Sequence, residues 1–437
     1  MGRLLYDLKI IPERVLSNYR RDASALGKSS FALAWVMDST SEERAHGVTM
    51  DIATNRFSTE TVDFTIIDAP GHRDFIPNMI AGASAADFAV LVVDASTGEF
   101  ESGLQGQTKE HTLLVRSMGV SRLVIAINKL DTTSWSEPRF TEIKQQLTAF
   151  LTSANFRAEN LSFVPCAGLS GDNIVNRSTV PAAKWYTGPP LLQLLEASAT
   201  DLTSRRAIDA PLRLPVDDVF TSSAQHPLSI SGRITAGSLQ TGDPLLALPA
   251  NETCTVKAIE LGTGQADAGT GDPIDWAVAG QNVILHLHNI EEKSLWQGNV
   301  LCSPASPVRV VKSFTVKVLA FDHLLPGPVH LHRGRMEVAC RITKLLGLLE
   351  KSSAGAQATH ERERERDAVM TGGRKKKKSG TITTKSVRII KPGQVCRLEI
   401  VVEEEGQAVG RTGVPLEGGA KIVLRSEGRT VATGVAE

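Results

Sequence analysis

The chain has 437 residues, a length that suits two to four domains rather than one. Its 48 basic and 48 acidic residues cancel, which argues against a protein that coats nucleic acid with a uniformly basic surface. No apolar run reaches the roughly 18 residues of a membrane span, and the first residues lack a signal-peptide pattern. The five cysteines are scattered and form no CxxC pair, so we predict reduced core thiols in a cytoplasmic protein.

Charge is distributed unevenly along the chain. Residues 1–203 hold 18 Lys and Arg against 23 Asp and Glu, and residues 204–305 hold 6 against 11. Residues 306–437 reverse the balance, with 24 basic residues against 14 acidic ones. A basic C-terminal third favours a surface that meets RNA phosphate. Part of the excess is the run RKKKK at 374–378, which fits a solvated loop equally well.

In the first 200 residues, short apolar runs alternate with helical patterns. Four runs are typical of buried strands: Thr61–Asp68, Phe88–Asp94, Arg122–Asn128 and Leu161–Cys166. The apolar residues of Phe140–Leu151 recur at helical spacing. This alternation predicts an α/β domain in which helices cover both faces of a parallel sheet. Ligands in such folds bind at the carboxyl ends of the strands.

After about Asp209 the helical periodicity fades. Short alternating segments separated by Gly and Pro take over, which is typical of all-β barrels. Gly232, Gly237 and Gly242 recur every five residues, as tight turns between short strands require. A second β set begins near Ser313. We therefore predict an α/β domain over residues 1–205, a β-barrel over 206–305, and a second β-barrel over 306–437 with an unstructured low-complexity loop at 352–380.

The first motif with chemical meaning is DAPG at 68–71, at the end of a predicted strand. An aspartate at a strand end, here Asp68, can hold a magnesium ion through water. A glycine three residues later, Gly71, can turn its backbone N–H toward a terminal phosphate. Thr49, upstream of that strand, is placed to ligate magnesium in the nucleoside-triphosphate state. A DxxG motif alone is common, so its meaning depends on a second motif further along the chain.

The second motif, NKLD at 128–131, follows another predicted strand about sixty residues later. Asn128 and Asp131 are three residues apart and can read a guanine base together. The carboxylate accepts from the ring N–H and the amino group, and the amide binds the opposite edge. Lys129 would lie along the plane of the base. Each motif is weak alone, but the pair in this order and spacing predicts a GTP-binding protein.

These motifs resemble, in the same order, those of the elongation factor 1-alpha superfamily of translational GTPases. The resemblance covers nearly the whole chain and rests on segments 30–53, 68–80, 98–103, 107–120 and 128–131. Within the superfamily the chain is most similar to the Hbs-type ribosome-rescue GTPases, the partners of Pelota, through segments 93–100, 168–174 and 249–261. The eukaryotic release-factor GTPases share the Ile76-Pro77-Asn78 pattern and remain an alternative.

The resemblance implies a fold, a set of cofactors and a set of partners. The fold would be a G domain followed by two β-barrels, with GTP or GDP and Mg²⁺ as cofactors. The partners would be the ribosome, through its rRNA, and a Pelota-like protein, with no DNA and no membrane. The implied function is GTP hydrolysis in ribosome rescue and mRNA surveillance. Two alternatives stay open: a release-factor GTPase in translation termination, and a non-hydrolysing adaptor that binds ribosomes through its barrels alone.

The resemblance also assigns roles to the residues around the terminal phosphate. His72 would be the catalytic histidine that orients the attacking water. Val48 would be one half of the apolar gate that restrains this histidine. Thr49 and Asp68 would be the residues on the magnesium side, and Gly71 would contact the terminal phosphate.

For the base, the resemblance implies binding by Asn128, Lys129 and Asp131. The family's last guanine-binding element falls on Ala167, Gly168 and Leu169. The serine that the family carries in this element is absent, although a neighbouring backbone N–H would still serve.

One departure from the family concerns the phosphate loop. The segment 1–8 (MGRLLYDL) resembles the helix that comes after this loop in the family. Gly27-Lys28-Ser29 looks like the end of a GxxxxGK[ST] loop, but its first glycine would fall on Asp22 and no strand precedes it. We therefore expect the first strand and the phosphate loop to be missing, together with the N–H cradle, the phosphate lysine and one magnesium ligand. Residues upstream of Met1 would supply them in a longer protein.

Overall fold

The structure is a computed structural model in which residues 1–25, 32–37, 41–46, 49, 51–72, 75–105, 107–203, 206–223, 227–262, 271–348, 388–403 and 413–437 are described. Val48, the Gly27-Lys28-Ser29 segment and the predicted loop 352–380 lie outside these residues. The described residues form two compact units. The first contains residues 1–310 and 332–337, and the second contains 311–331 and the described residues after 337.

The N-terminal region of the first unit contains helices and short strands in alternation. Its helices are α1 (Gly2–Asp7), α2 (Glu13–Ala25), α3 (Ser41–His46), α4 (Ile76–Ala85), α5 (Glu99–Gln105), α6 (Gln107–Ser117), α7 (Glu137–Ser153) and α8 (Leu191–Thr203). Its strands are β1 (Ala53–Ser58), β2 (Asp63–Asp68), β3 (Ala89–Asp94), β4 (Leu123–Asn128) and β5 (Leu161–Pro165). The four predicted strands and the predicted helix are therefore present, each strand within two residues of its predicted ends.

A parallel sheet forms the centre of this region. Its strand order is β3-β4-β5, and both pairings are parallel. β4 is buried along almost its whole length because it is covered by helices and lies between two strands. α7 covers one side: Ser136 caps its N-terminus, and Phe140, Ile143, Leu147 and Leu151 on one face are buried. The predicted α/β class is confirmed.

β2 differs from the prediction, which assigned it to the parallel sheet. It instead pairs antiparallel with β1, from Ala53 opposite Asp68 to Ser58 opposite Asp63. Within the described residues, β2 pairs with β1 alone and β3 with β4 alone. β1 was not predicted, because its sequence ATNRFS mixes polar and apolar residues without the long apolar run of a central strand.

A cavity of about 390 Å³ separates the two groups of strands. Phe64, Ile66 and Asp68 line it from β2, and Val90 and Val92 line it from β3. Val92 is 53% exposed, although the strand beside it is buried. The cavity is thus bordered by two strands that each use one edge for pairing in the described part of the chain. The end of β2, with the DAPG segment, opens into the same cavity.

The rest of the first unit is a β-barrel. Its strands are β6 (Arg213–Phe220), β7 (Ser229–Arg233), β8 (Ser238–Gln240), β9 (Pro244–Leu248), β10 (Glu252–Leu261), β11 (Pro273–Ile274), β12 (Trp276–Val278), β13 (Asn282–His288) and β14 (Val300–Cys302). The next strand, β15 (Val310–Val311), lies at the end of the first unit and is not part of this barrel. The main sheet has the order β11-β10-β13-β7-β6-β14-β9, and a pairing between β9 and β10 closes six antiparallel strands into a ring. Inward apolar side chains such as Leu214, Val216 and Ile230 fill it.

The three glycines that predicted turns have two different roles. Gly237 and Gly242 have positive φ values of 79° and 92°, which glycine adopts without steric cost. Gly232 lies inside β7 rather than in a turn, so this part of the prediction was wrong. A Cβ atom at Gly232 would lie 2.3 Å from the carbonyl oxygen of Pro215. Glycine is required there because the neighbouring backbone approaches closely.

The second unit is built around a closed barrel. The remaining strands are β16 (Ser313–Ala320), β17 (Gly327–Arg333), β18 (Met336–Leu348), β19 (Val395–Val402), β20 (Val414–Pro415), β21 (Lys421–Ser426) and β22 (Arg429–Ala436). The barrel has the order β16-β19-β18-β17-β21-β22 and closes on itself. Three of its basic side chains form ion pairs, Arg341 with Glu403, Lys344 with Glu399, and Arg397 with Glu437. These acidic partners offset part of the positive charge of this barrel.

Two composition-based predictions can be compared with the structure. All five cysteines are free and buried, which confirms the prediction of core thiols. Burial raises the pKa of Cys254 and Cys396 to about 12, so these thiols stay protonated at neutral pH. Among the residues that the structure describes, no helix is long and apolar enough to cross a membrane.

Candidate functional site

Polar residues gather at the carboxyl ends of β3, β4 and β5. The parallel register places Asp94, the last residue of β3, opposite Asn128, the last residue of β4. β5 ends at Pro165, opposite Ile127, so the next residues, Cys166 to Gly168, lie beside the end of β4. The predicted base-reading segments are therefore neighbours in space, because parallel strands end at the same edge of the sheet.

Asn128 is held by the segment that comes after β5. Its Oδ1 accepts a hydrogen bond of 2.8 Å from the backbone N–H of Gly168. A Cβ atom at Gly168 would lie 3.1 Å from the same oxygen, so a side chain there would crowd the contact. Once Oδ1 is engaged in this way, the amide NH₂ of Asn128 is the group that remains to face a base. The structure thus brings together Asn128 and Gly168, as the sequence predicts.

Lys129 connects two strand ends. Its backbone has a positive φ of 61°, which is uncommon for a residue with a side chain. Its Nζ lies 2.7 Å from Oδ2 of Asp94. Burial alone would raise the pKa of Asp94, but hydrogen bonds from Lys129 and Ser96 outweigh burial and hold this pKa below its usual value. Asp94 is a site residue that the motif analysis missed, although its position at a strand end was visible in the sequence.

Asp131 is presented by a short 3-10 turn, Leu130–Thr133. Leu130 is fully buried, and its N–H donates to the carbonyl oxygen of Cys166. The buried leucine anchors the turn, while the side chain of Asp131 is exposed at its surface. This arrangement leaves the Asp131 carboxylate accessible to the N–H groups of a ligand on the same side of the sheet as Asn128.

The loop after β5 closes on itself. The N–H of Gly171 donates to the carbonyl oxygen of Ala167, and the N–H of Ala167 donates to that of Asp172. Ala167 is fully buried, whereas Leu169 at the tip is 70% exposed. The guanidinium of Arg3, from α1, donates to the carbonyl oxygen of Leu169 at 2.8 Å. Sequence reasoning missed this contact because it joins positions 166 residues apart, with no motif to link them.

The DAPG segment and its neighbours form a separate cluster at the end of β2. Asp68 is partly buried, while Gly71 and His72 are exposed. The ring of His72 lies 6.1 Å from that of Phe75, measured between ring centres. Thr49 is partly buried. The residue before it, Val48, which was predicted to form one half of the apolar gate, is outside the described residues. The structure therefore places Asp68, Gly71 and His72 together at the end of β2.

The donor chemistry of Thr49 and Asp68 suits magnesium, which prefers hydroxyl and carboxylate oxygen. Asp68 is one of the residues that line the cavity between β2 and β3. Among the described residues, no group of three or more His, Cys, Asp or Glu side chains is arranged for a metal ion. Magnesium sites at nucleotides commonly combine one or two protein carboxylates with phosphate oxygens and water.

The comparisons with known proteins identify the family. Residues 1–204 match the model of the elongation factor Tu GTP binding domain. Elongation factor 1-alpha of Thermoplasma acidophilum is 36% identical over 442 residues, which are 99% of this chain and 93% of that protein. The chain belongs to the elongation factor Tu and elongation factor 1-alpha family of translational GTPases, whose members bind and hydrolyse GTP.

Two further relatives and one solved structure are similar to this chain. Protein HBS1 of Drosophila melanogaster is 40% identical over 360 residues, 81% of this chain and 52% of that protein. The elongation factor 1 alpha-like protein of Schizosaccharomyces pombe is 40% identical over 344 residues, 77% of this chain and 56% of that protein. The chain thus spans about half the length of these two relatives. The Saccharomyces cerevisiae Ski7 GTPase-like domain, solved with GDP and inorganic phosphate, shares the fold at 20% identity, with a TM-score of 0.73 over all of this chain and 93% of that one.

Proposed function

We propose that the chain binds guanine nucleotide at the carboxyl ends of β4 and β5 and hydrolyses GTP in ribosome rescue, with a Pelota-like partner. The observation that carries the proposal is the hydrogen bond between Gly168 and Asn128, which joins the two segments that the family resemblance assigns to the base. The 40% identity to Protein HBS1 supports the choice of branch within the family.

Each part of the base site has a distinct task. The exposed carboxylate of Asp131 accepts from the ring N–H and the amino group of guanine. The amide of Asn128, oriented by Gly168, binds the opposite edge. The backbone N–H of Leu169, next to the bonded N–H groups of Ala167 and Gly168, would face the oxygen at position 6. Adenine carries an amino group in place of that oxygen and lacks the ring N–H, so these contacts together select guanine.

The phosphate side rests on fewer contacts. Thr49 and Asp68 would hold Mg²⁺, which neutralises charge on the phosphate oxygens. Gly71 offers a backbone N–H to the terminal phosphate, and the imidazole of His72 orients the attacking water. His72 is exposed, and its ring lies 6.1 Å from that of Phe75, so its imidazole lies at the surface that the ribosome would contact. Catalysis then comes mainly from positioning and electrostatics.

An additional extended segment would complete the phosphate side. β2 and β3 border one apolar cavity, and each pairs on one edge within the described residues. Unpaired strand edges recruit further strands, and a strand between these two would join the β1–β2 pair to the parallel sheet. Its carboxyl end would lead toward Asp68 and Gly71, which also line the cavity. The backbone there would supply N–H groups for the phosphates.

The experiment is a titration of the chain with fluorescent GDP, competed with unlabelled GDP, ADP and GTP. Saturable binding that GDP displaces and ADP does not would support the guanine site. Ribosome-stimulated phosphate release and co-purification with a Pelota-like protein test the finer proposal. Capture of the termination release factor in place of the Pelota-like protein would move the function to termination.

A non-hydrolysing adaptor that binds ribosomes through its barrels is the second candidate. The cavity beside the DAPG segment favours the adaptor, because a GTPase needs phosphate-binding groups at this place. The base-reading contacts of Asn128 and the exposed His72 count against it, since an adaptor needs neither. Ribosome binding without any saturable GDP binding would establish the adaptor.

A further inference from the structure

Arg3 on α1 links the first helix to the base-reading loop. Its Nε lies 2.9 and 3.0 Å from the two carboxylate oxygens of Asp7, one helical turn further on. Its Nη1 donates to the carbonyl oxygen of Leu169 at 2.8 Å. The side chain of Arg3 is 23% exposed and that of Asp7 19%. The ion pair therefore fixes the guanidinium, and the fixed guanidinium holds the tip of the loop.

The loop is shaped to receive this guanidinium. Gly171 has a positive φ of 94°, and a Cβ atom there would lie 2.7 to 2.9 Å from Nη2, Nε and Cζ of Arg3. A side chain at this position would displace Arg3, so the glycine provides both the backbone conformation and the space. Arg3 thus lies against the loop at Gly171 and bonds it at Leu169. The hydrogen bond to Leu169 and the close approach to Gly171 therefore fix the same position of the Arg3 guanidinium.

The loop in turn places the groups that face the base. Gly168 bonds Asn128, and the N–H of Leu130 bonds Cys166, so a movement of the tip is passed to both base-reading segments. We propose that Arg3 is a positioning residue for guanine selection: it holds the tip of the loop at 167–171 so that the backbone N–H of Leu169 points at the oxygen at position 6. The inference rests on the proposed guanine site and names a residue outside every motif that predicted it.

The two recognition contacts can be separated with modified bases. In 6-thio-GDP the oxygen at position 6 is replaced by sulfur, a weaker acceptor, whereas IDP keeps that oxygen and lacks the 2-amino group. In the parent chain, GDP should bind more tightly than either analogue. Arg3→Gln removes the ion pair with Asp7 but keeps a polar side chain of similar length. We expect this variant to lose the preference for GDP over 6-thio-GDP by about five- to tenfold, the size of one hydrogen bond.

The preference for GDP over IDP should stay within twofold in Arg3→Gln, because Asp131 reads the 2-amino group. Arg3→Lys keeps the positive charge and should restore part of the lost preference. Arg20→Gln is the matched control, since Arg20 is an exposed arginine on α2 paired with Glu13, and it should change neither ratio. Affinities would be measured by competition against fluorescent GDP.

The possible outcomes distinguish failure of the proposed role of Arg3 from failure of the proposed guanine site. A parent chain that binds no guanine nucleotide overturns both. A parent that prefers GDP over both analogues, with the same preferences in Arg3→Gln, overturns the role of Arg3 alone. Equal losses against 6-thio-GDP and IDP would mean a general loosening of the site and would also overturn it. Amide exchange at Gly168 and Leu169, faster in Arg3→Gln than in the Arg20→Gln control, should accompany the selective loss.

Discussion

The parallel sheet β3–β5 and the strand pair β1–β2 belong to the same unit but are stabilised differently. In the sheet, β4 has a partner on each side, and Ile125 at its centre is fully buried. At the edge of that sheet, Val92 of β3 is 53% exposed and borders the cavity, with β2 on the opposite side. The residues proposed to read the base belong to the first arrangement and the DAPG segment to the second. The proposed base site is therefore supported by contacts between strands that are paired, whereas the proposed phosphate site lies between β2 and β3, which each pair on one edge only within the described residues.

The largest expected effect lies on the phosphate side. His72→Ala should lower ribosome-stimulated GTP hydrolysis by about 100-fold or more, the usual contribution of a residue that handles the proton or the attacking water. GDP affinity should stay within twofold, because His72 is exposed and follows the DAPG segment rather than the NKLD segment that is proposed to read the base. Phosphate release with and without ribosomes measures the first quantity and fluorescent GDP the second.

His323→Ala supplies the control for that measurement, since His323 is an exposed histidine beside Asp322 in the second unit. It should hydrolyse GTP like the parent. Unchanged turnover in His72→Ala would remove the histidine from the mechanism.

The contrast between the two strands can be tested by truncating one side chain in each. Ile125→Ala should lower the free energy of unfolding by about 2–5 kcal/mol, because it leaves a cavity in a fully packed strand. Val92→Ala should cost less than about 1 kcal/mol, because half of that side chain is already exposed to solvent. Urea unfolding followed by fluorescence measures both. Similar costs for the two variants would mean that β3 is packed on both sides in solution.

The strength of base recognition is tested by Asp131→Asn. The amide places a donor where guanine also donates, and an unpaired buried donor costs roughly 1–3 kcal/mol. GDP affinity should therefore fall by about ten- to a hundredfold, while affinity for the xanthine nucleotide rises, because xanthine accepts at that position. Asp63→Asn, at an exposed carboxylate that begins β2, should alter neither. Parent-like affinities for both nucleotides in Asp131→Asn would exclude Asp131 as the base reader.

Sequence reasoning succeeded where the physical signal is local. The apolar runs of β3 and β4 and the periodicity of α7 are set by burial, so they were legible without the structure. The family resemblance assigned Asn128 and Gly168 to the same base, and the structure places them in contact. β1 was not predicted because its sequence mixes polar and apolar residues. Gly232 was wrongly assigned to a turn because glycine is required both in tight turns and where two backbones approach closely. The contact of Arg3 with Leu169 depends on how α1 packs, which no spacing in the sequence encodes.

The ion pair between Asp94 and Lys129 gives the smallest expected effect and a test by pH. Hydrogen bonds from Lys129 and Ser96 hold the folded pKa of Asp94 below its usual value, against the effect of burial. Ionised Asp94 therefore stabilises the fold above the unfolded pKa of about 4, and this contribution is lost as the pH falls through the folded pKa. Lys129 is 58% exposed, so solvent screens the pair. Asp94→Asn should lower the free energy of unfolding at pH 7 by less than about 1 kcal/mol. The difference from the parent should shrink below pH 4, and a difference that grows there would show that Asp94 is not held in its ionised form.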